Sequence, residues 1–429
     1  MRIVNIDKIS AGMRLGEAVR GARGQVLLTR GTILTAAYVA TLQTLGVPAV
    51  YIADPDTADV EIPQPISAES RTRVLKNISR TFDELAEATE EMRKSSVDEM
   101  RHNLEGDLLV RAAAASGVAD YLYSLSKDVD LILDELGNQE VLMGLNSIKT
   151  HDLYTFQHSI DVTIMALVLA KRARWDRARS RAFGMGCLLH DLGKVMIEPQ
   201  ILNQPGPLTP EQFERLKGHT TMGYELIRSL APRLGSLTPQ VAYQHHERQD
   251  GSGYPRGLKG NNRLGENEPG LIHDFGALAA VADVYDAMAS HRPYRRALPV
   301  DEVVATIGAY AGSHLNAEAV RIFQSVVPPY PVCSSVVMLN GAHEGYQGVV
   351  VKVPPRDLSR PIVRLLFDKA GNRIDAIDVS LEADRDLRVQ SVRDATSPIH
   401  SLGSSPITPQ KPKTVYAIPP AVLRALKAG

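Results

Sequence analysis

The sequence predicts a mainly α protein, with an all-helical core, a small α/β unit before it and a small β domain after it. Three observations carry this. From about 140 to 326 apolar residues recur at helical spacings, as in Ile164, Leu167 and Val168 or Val281, Val284 and Met288, with one long Gly/Asn/Pro interruption at 250 to 275. After Pro328-Pro329 the apolar residues turn β-branched, in Val336-Val337, Val349-Val350-Val351 and Ile362-Val363, and are parted by Gly and Pro. Before residue 54, Gly12, Gly21, Gly24 and Gly31 punctuate short apolar runs, and a helix ending at Gly46 leads into a strand through Val50-Tyr51-Ile52.

The elements follow in order. A chain of 429 residues exceeds what one typical core supports, so several domains are expected. Residues 1–65 read as a small α/β accessory domain without catalytic signature. Residues 66–140 read as a charged helical connector in which Val74, Ile78, Phe82, Leu85 and Met92 form an apolar stripe. That stripe needs a partner, either its own domain or a second copy in a homodimer seam. Residues 141–326 hold nearly every informative histidine and form the catalytic core. Residues 327–391 are the small β domain, and 392–429 mix Ser, Pro, Thr and Lys as a mostly disordered tail with a short helix at Val422 to Lys427.

Composition excludes some classes. With 48 Lys plus Arg against 49 Asp plus Glu, the formal charge is -1, which argues against a whole-chain binder of nucleic-acid polymer or anionic membrane. Cys187 and Cys333 stand in apolar surroundings, so no disulfide framework is expected and a reducing compartment fits. The opening Met1-Arg2-Ile3-Val4-Asn5-Ile6-Asp7 has no signal-peptide pattern, and the apolar run Ile164 to Ala170 falls far short of the roughly 20 residues of a spanning helix. The expectation is a cytoplasmic protein.

The chemistry lies in His158, His190-Asp191, His219, His245-His246 and Asp283. One buried histidine is ordinarily a satisfied core residue, but a set of five with two aspartates calls for a cation. An ionised aspartate offers two oxygens that can bridge two cations, and an imidazole-rich site favours a transition metal over magnesium, with iron or manganese suiting mixed nitrogen and oxygen donors. Lys194, one turn beyond His190, and Arg292 and Arg295 after Asp283 are cations placed to hold phosphate oxygens, with solvated surface charge as the other reading. A phosphate loop, a paired Cys-x-x-Cys and a Gly-x-Ser-x-Gly elbow are all absent from the sequence.

The run His190-Asp191-Leu192-Gly193-Lys194, Asn203-Gln204-Pro205-Gly206, His219, and His245-His246-Glu247-Arg248 followed by Asp250-Gly251-Ser252-Gly253-Tyr254-Pro255 resembles the HD-GYP phosphodiesterases. Asp152-x-Tyr154-Thr155-x-x-His158-Ser159 before it, and Ala282-Asp283-Val284-Tyr285-Asp286-Ala287 with Arg292-Pro293-Tyr294-Arg295 after it, extend the resemblance over the whole central segment. It implies an all-helical HD-type metallohydrolase core and hydrolysis of cyclic di-GMP to pGpG or GMP through a metal-bridging hydroxide. Carried over by position, one ion is held by His158, His190, Asp191 and Asp283, the other by Asp191, His219, His245 and His246. Asp191 and Lys194 would serve catalysis, and Lys194, Arg292 and Arg295 would face phosphate. Gly253-Tyr254-Pro255 would shape the pocket mouth, outside the metal shell.

Two departures stand out. Relatives with three metals carry Glu where Tyr154 stands, and a phenol is a poor ligand for a hard cation, so two ions are expected. An insertion brings a second pair, His273-Asp274, which the alignment on Asp283 leaves outside the ligand set, as it does His151-Asp152. The loop Asn261 to Phe275 reads either as a mobile lid or as a passive insertion. The sequence leaves open a preference for another cyclic dinucleotide such as cyclic GMP-AMP, a receptor that binds without cleaving, and a vestigial interaction protein.

Overall fold

The computed structural model describes residues 1–21, 25–47, 49–90, 118–137, 141–142, 154–204, 206–290 and 297–392. The N-terminal unit pairs β1 (Arg2–Asn5) antiparallel with β4 (Ala49–Ile52) and β2 (Val19–Arg20) with β3 (Val26–Leu28). Its helix α1 (Ala36–Thr44) starts where the Thr35 hydroxyl accepts from the Tyr38 amide. Leu15, Leu34, Leu42, Val47 and Val50 fill the space between them.

The connector stripe is consumed inside the chain. In α2 (Ala68–Ala88), Val74, Ile78 and Leu85 are fully buried and Phe82 nearly so. They meet Val118, Leu122, Leu125, Val129 and Ile132 of α3 (Val118–Leu136) and the central helices in one cluster. The two helices run antiparallel, because Ser67 and Ser70 bond Glu135, Arg73 and Asn77 bond the buried Asp128, and Arg80 bonds Tyr121. Two further ties reach the core: Arg71 pairs with Asp161 at 2.6 Å, and Phe82 packs edge-on to Phe156 at 5.2 Å. This corrects the dimer-seam expectation for Val74 through Leu85, whose apolar atoms are covered by their own domain; Met92 lies outside the described residues.

The core continues through α4 (Tyr154–Arg172), α5 (Arg177–Leu188), a 3-10 turn (Leu192–Met196), α6 (Pro199–Leu202), α7 (Pro210–Leu230), α8 (Thr238–Gln244), α9 (Asp274–Ala289), α10 (Val300–Ala309) and α11 (Ala317–Gln324). Helix α7 opens with Thr209 and Gln212 exchanging side-chain bonds to each other's amides, a capping box that fixes where the helix begins. Trp175, Phe183 and Phe275 pack together where α5 meets α9.

After the core, β5 (Ser335–Met338), β6 (Gln347–Lys352), β7 (Ile362–Phe367), β8 (Arg373–Ser380) and β9 (Val389–Ser391) form one antiparallel sheet in the order β8-β7-β6-β5-β9. Ser335 lies opposite Val349 and Val349 opposite Arg364. This sheet shares its apolar cluster with Tyr51 and Val60 of the N-terminal unit, and Arg364 and Arg373 pair with Asp59, Asp54 and Asp56. The two units that flank the core in sequence therefore lie against each other. Among the described residues, no helix is long and apolar enough to cross a membrane.

Candidate metal centre

Five backbone segments converge on one point. His158 stands in the second turn of α4. Helix α5 stops at Leu188, so His190 and Asp191 sit in the tight passage to the 3-10 turn rather than spread around a helix. That turn presses against α7, where a Cβ on Gly193 would fall 1.9 Å from the His219 carbonyl oxygen, so only glycine lets the two segments meet. His219 projects from the middle of α7, His245 and His246 follow the last turn of α8, and Asp283 lies within α9.

The seven side chains named from sequence come together. His158, His190 and Asp283 form one group with donor atoms within 4.8 Å of one another, His219, His245 and His246 a second, and His190, Asp191 and His245 a third that joins them. Asp191 faces both ways: Oδ2 is 3.4 Å from His190 Nε2 and 3.9 Å from His158 Nε2, while Oδ1 is 3.6 Å from His219 Nε2. His158 Nε2 lies 3.2 Å from Asp283 Oδ1. All are buried except His246, which is half-buried and marks the more open side.

The donor set fits divalent cations. Nδ1 of His190 donates to the Cys187 carbonyl and Nδ1 of His219 to that of Leu216, each at 2.7 Å, and Nδ1 of His245 to those of Val241 and Ala242 at 3.0 Å. Each Nε2 is thereby left as the lone-pair nitrogen facing the centre. Burial pushes the imidazole of His219 down to about 4, and burial with the neighbouring rings pushes His245 down to about 3, so both stay neutral as ligation requires. Burial alone would raise the Asp191 carboxyl, but the Lys194 ammonium and surrounding imidazoles outweigh it and hold it well below the usual carboxylate range. His158 moves the other way: burial lowers it, yet the hydrogen-bonded carboxylates of Asp283 and Asp286 raise it overall.

The remaining expected residues fall around this set. Lys194 Nζ is 2.5 Å from Asp191 Oδ2 and buried with it, so in this structure the ammonium is directed at the Asp191 carboxylate. Gly253 has no room for a Cβ, which would come within 2.3 Å of the Arg248 amide nitrogen. The Tyr254 ring lies 4.7 Å from that of His246, tilted 33°, and so borders a donor ring directly. After the cis Tyr254-Pro255 bond, the Arg256 and Leu258 amides donate to the buried Glu247 carboxylate, each at 2.8 Å. Arg292, Arg295 and the pair His151-Asp152 lie outside the described residues.

His273 and Asp274 are not gathered into the donor groups. The His273 ring caps α9 by accepting from the Phe275 amide, and buried Asp274 accepts from Arg179 and from the Gly265 amide. The loop around them is tied down: the Asn262 amide donates to Gln249, the Leu264 amide to Glu318, and the His273 amide to Gln244. Two supporting groups escaped sequence reasoning, Glu247 and Asp286. The second had a signal, since it stands three residues after Asp283 and shares its helix face.

An all-helical core that brings a His-Asp pair together with four more imidazoles and a second aspartate defines an HD domain, and residues 140–319 match the family model described as HD domain. The same central stretch is similar to several proteins named as cyclic-dinucleotide phosphodiesterases. It is similar to a cyclic di-GMP phosphodiesterase of Pseudomonas aeruginosa, 33% identical over 232 residues that make up 54% of this chain and 52% of the relative. A cyclic di-GMP phosphodiesterase of Thermotoga maritima is 39% identical over 186 residues, 43% of this chain and 48% of the relative. A 3'3'-cGAMP-specific phosphodiesterase of Vibrio cholerae is 31% identical over 174 residues, 40% of this chain and 38% of the relative. The chain spans about half the length of the first two of these relatives.

Proposed function

We propose that this protein hydrolyses cyclic di-GMP to pGpG or GMP at a centre of two divalent transition-metal ions, iron or manganese. The observation that carries the reading is Asp191, whose two carboxylate oxygens face two separate imidazole groups. His158, His190, Asp191 and Asp283 would hold one ion and Asp191, His219, His245 and His246 the other. Bound there, two such ions would supply an activated water near neutral pH and offset charge on the phosphoryl oxygens. Lys194, here paired with Asp191, would turn from that carboxylate to offer its positive charge to a phosphodiester. Tyr254 lies against the half-buried His246, which supports the reading of the Gly-Tyr-Pro loop as the pocket mouth. Arg292 and Arg295 complete the phosphate-facing cations in this reading. A cytoplasmic setting suits the free, buried Cys187 and Cys333.

A second cyclic dinucleotide, cyclic GMP-AMP, is a parallel reading because one similar protein is named for it. Anaerobically purified protein, assayed for metal content and offered each dinucleotide with chromatographic separation of products, tests both. Release of pGpG or GMP from cyclic di-GMP is expected; metal-loaded protein that binds but never cleaves either dinucleotide overturns the enzyme.

A further inference from the structure

Asp286 is a buried carboxylate one helical turn beyond Asp283 on α9, and the two hold opposite edges of one ring. Asp283 Oδ1 lies 3.2 Å from His158 Nε2, and Asp286 Oδ2 lies 2.7 Å from His158 Nδ1. The other Asp286 oxygen accepts from the Ser290 hydroxyl at 3.1 Å, so the carboxylate is itself oriented. His190, His219 and His245 rest their Nδ1 on neutral backbone carbonyls, whereas His158 rests on an anion. A carboxylate behind an imidazole fixes the tautomer, holds the ring plane and increases electron density at the far nitrogen.

We infer that Asp286 is a positioning residue that orients His158 and strengthens Nε2 as a donor to the ion shared with His190, Asp191 and Asp283. The inference rests on the two-ion reading above. It assigns the two ions different supports: one is backed by a charge through Asp286, while His219 and His245 of the other rest on peptide carbonyls. Asp286 touches neither substrate nor ion in this scheme and acts only through His158.

The test uses the full chain stripped of metal and titrated with manganese(II), for the parent, Asp286→Asn, Asp286→Ala and Asp191→Ala, with thermal melting alongside. Asp286→Ala is expected to weaken one of the two manganese ions roughly 10- to 100-fold and leave the other unchanged. Asp286→Asn, which keeps an acceptor oxygen for Nδ1–H but carries no charge, should fall between it and the parent. Variants that melt lower yet bind both ions like the parent would make Asp286 a packing residue and overturn the inference. If Asp286→Ala does not fold, Asp286→Asn decides alone, and parent-like affinity for both ions overturns it. Parent and Asp191→Ala binding manganese equally would instead remove the two-ion reading and this inference with it.

Discussion

The two halves of the centre are built from the same residue types in different proportions. Around His158 the donors are two imidazoles with Asp191 and Asp283, all buried, and Asp286 stands behind. Around His219 they are three imidazoles with a single shared carboxylate oxygen, and His246 is partly open beside Tyr254. A divalent ion in the first half would meet the charge of Asp283 and a share of Asp191, one in the second only a share of Asp191. Since a low-dielectric interior magnifies such differences, the first half should hold its ion tightly while the second exchanges and faces substrate.

The largest test removes what the halves share. Asp191→Ala should lower bound metal from about two ions per chain to below one and abolish hydrolysis, because both shells lose an oxygen and Lys194 loses its ion pair with Asp191. Elemental analysis with a turnover assay checks it, and full metal content in the variant would dissolve the bridge. The next test separates the halves. His245→Ala should leave about one ion, resistant to chelator, whereas Asp283→Ala should leave an ion that chelator strips readily. Equal stripping rates in the two variants would mean the carboxylate asymmetry has no consequence.

A third prediction concerns pH and the metal-free chain. His190, His219, His245 and His246 all lie below the ordinary imidazole value, held there chiefly by burial, so the unfolded chain takes up protons that the folded one refuses. Their contribution to stability is present above about 6.5 and is lost as pH falls from there toward about 4, where His219 titrates in the fold. His158 has the opposite sign, being raised, and its contribution is present below about 6.5 and lost as pH rises. Four groups against one predict that chelator-treated protein unfolds at lower urea at pH 5 than at pH 7. A flat profile would show that the imidazole-rich half is not desolvated as its burial implies.

The two halves also differ in how legible they were. Four of the seven donor residues come in sequence-adjacent pairs, and His190-Asp191 and His245-His246 point to a metal from residue type alone, whereas His158, His219 and Asp283 stand singly inside helices. Gly193 and Gly253 were visible as motif letters, but that one admits α7 and the other the Arg248 backbone depends on three-dimensional approach. Asp286 shared a helix face with Asp283, but that it holds His158, 128 residues away, and that Glu247 holds the Arg256 and Leu258 amides, depends on three-dimensional approach. The stripe on α2 was legible as apolar while its partner was not, because an amphipathic face specifies that something covers it and not what. The joining of the N-terminal unit to the C-terminal sheet rests on Tyr51, Val60, Arg364 and Arg373, long-range contacts that no local pattern announces.

The smallest expected effect belongs to the second His-Asp pair, which by residue type alone competes with the first. His273→Ala removes the ring that accepts from the Phe275 amide, an N-cap worth about 0.5 to 2 kcal/mol where the capping group is a good acceptor. Asp274→Ala costs more, on the order of 1 to 3 kcal/mol, because the Gly265 amide and Arg179 lose a buried acceptor. Neither side chain reaches the donor groups around Asp191, so both variants should keep parent metal content, chelator resistance and turnover while melting at lower temperature. The contrast with Asp191→Ala is what gives the result its meaning. One His-Asp pair sits where chain direction changes between α5 and the 3-10 turn and points inward at four other imidazoles. The other starts a helix and holds a loop. If metal content falls in either variant while the fold persists, the insertion reaches the centre after all, and the division between its two halves would have to be redrawn to include α9's first turn.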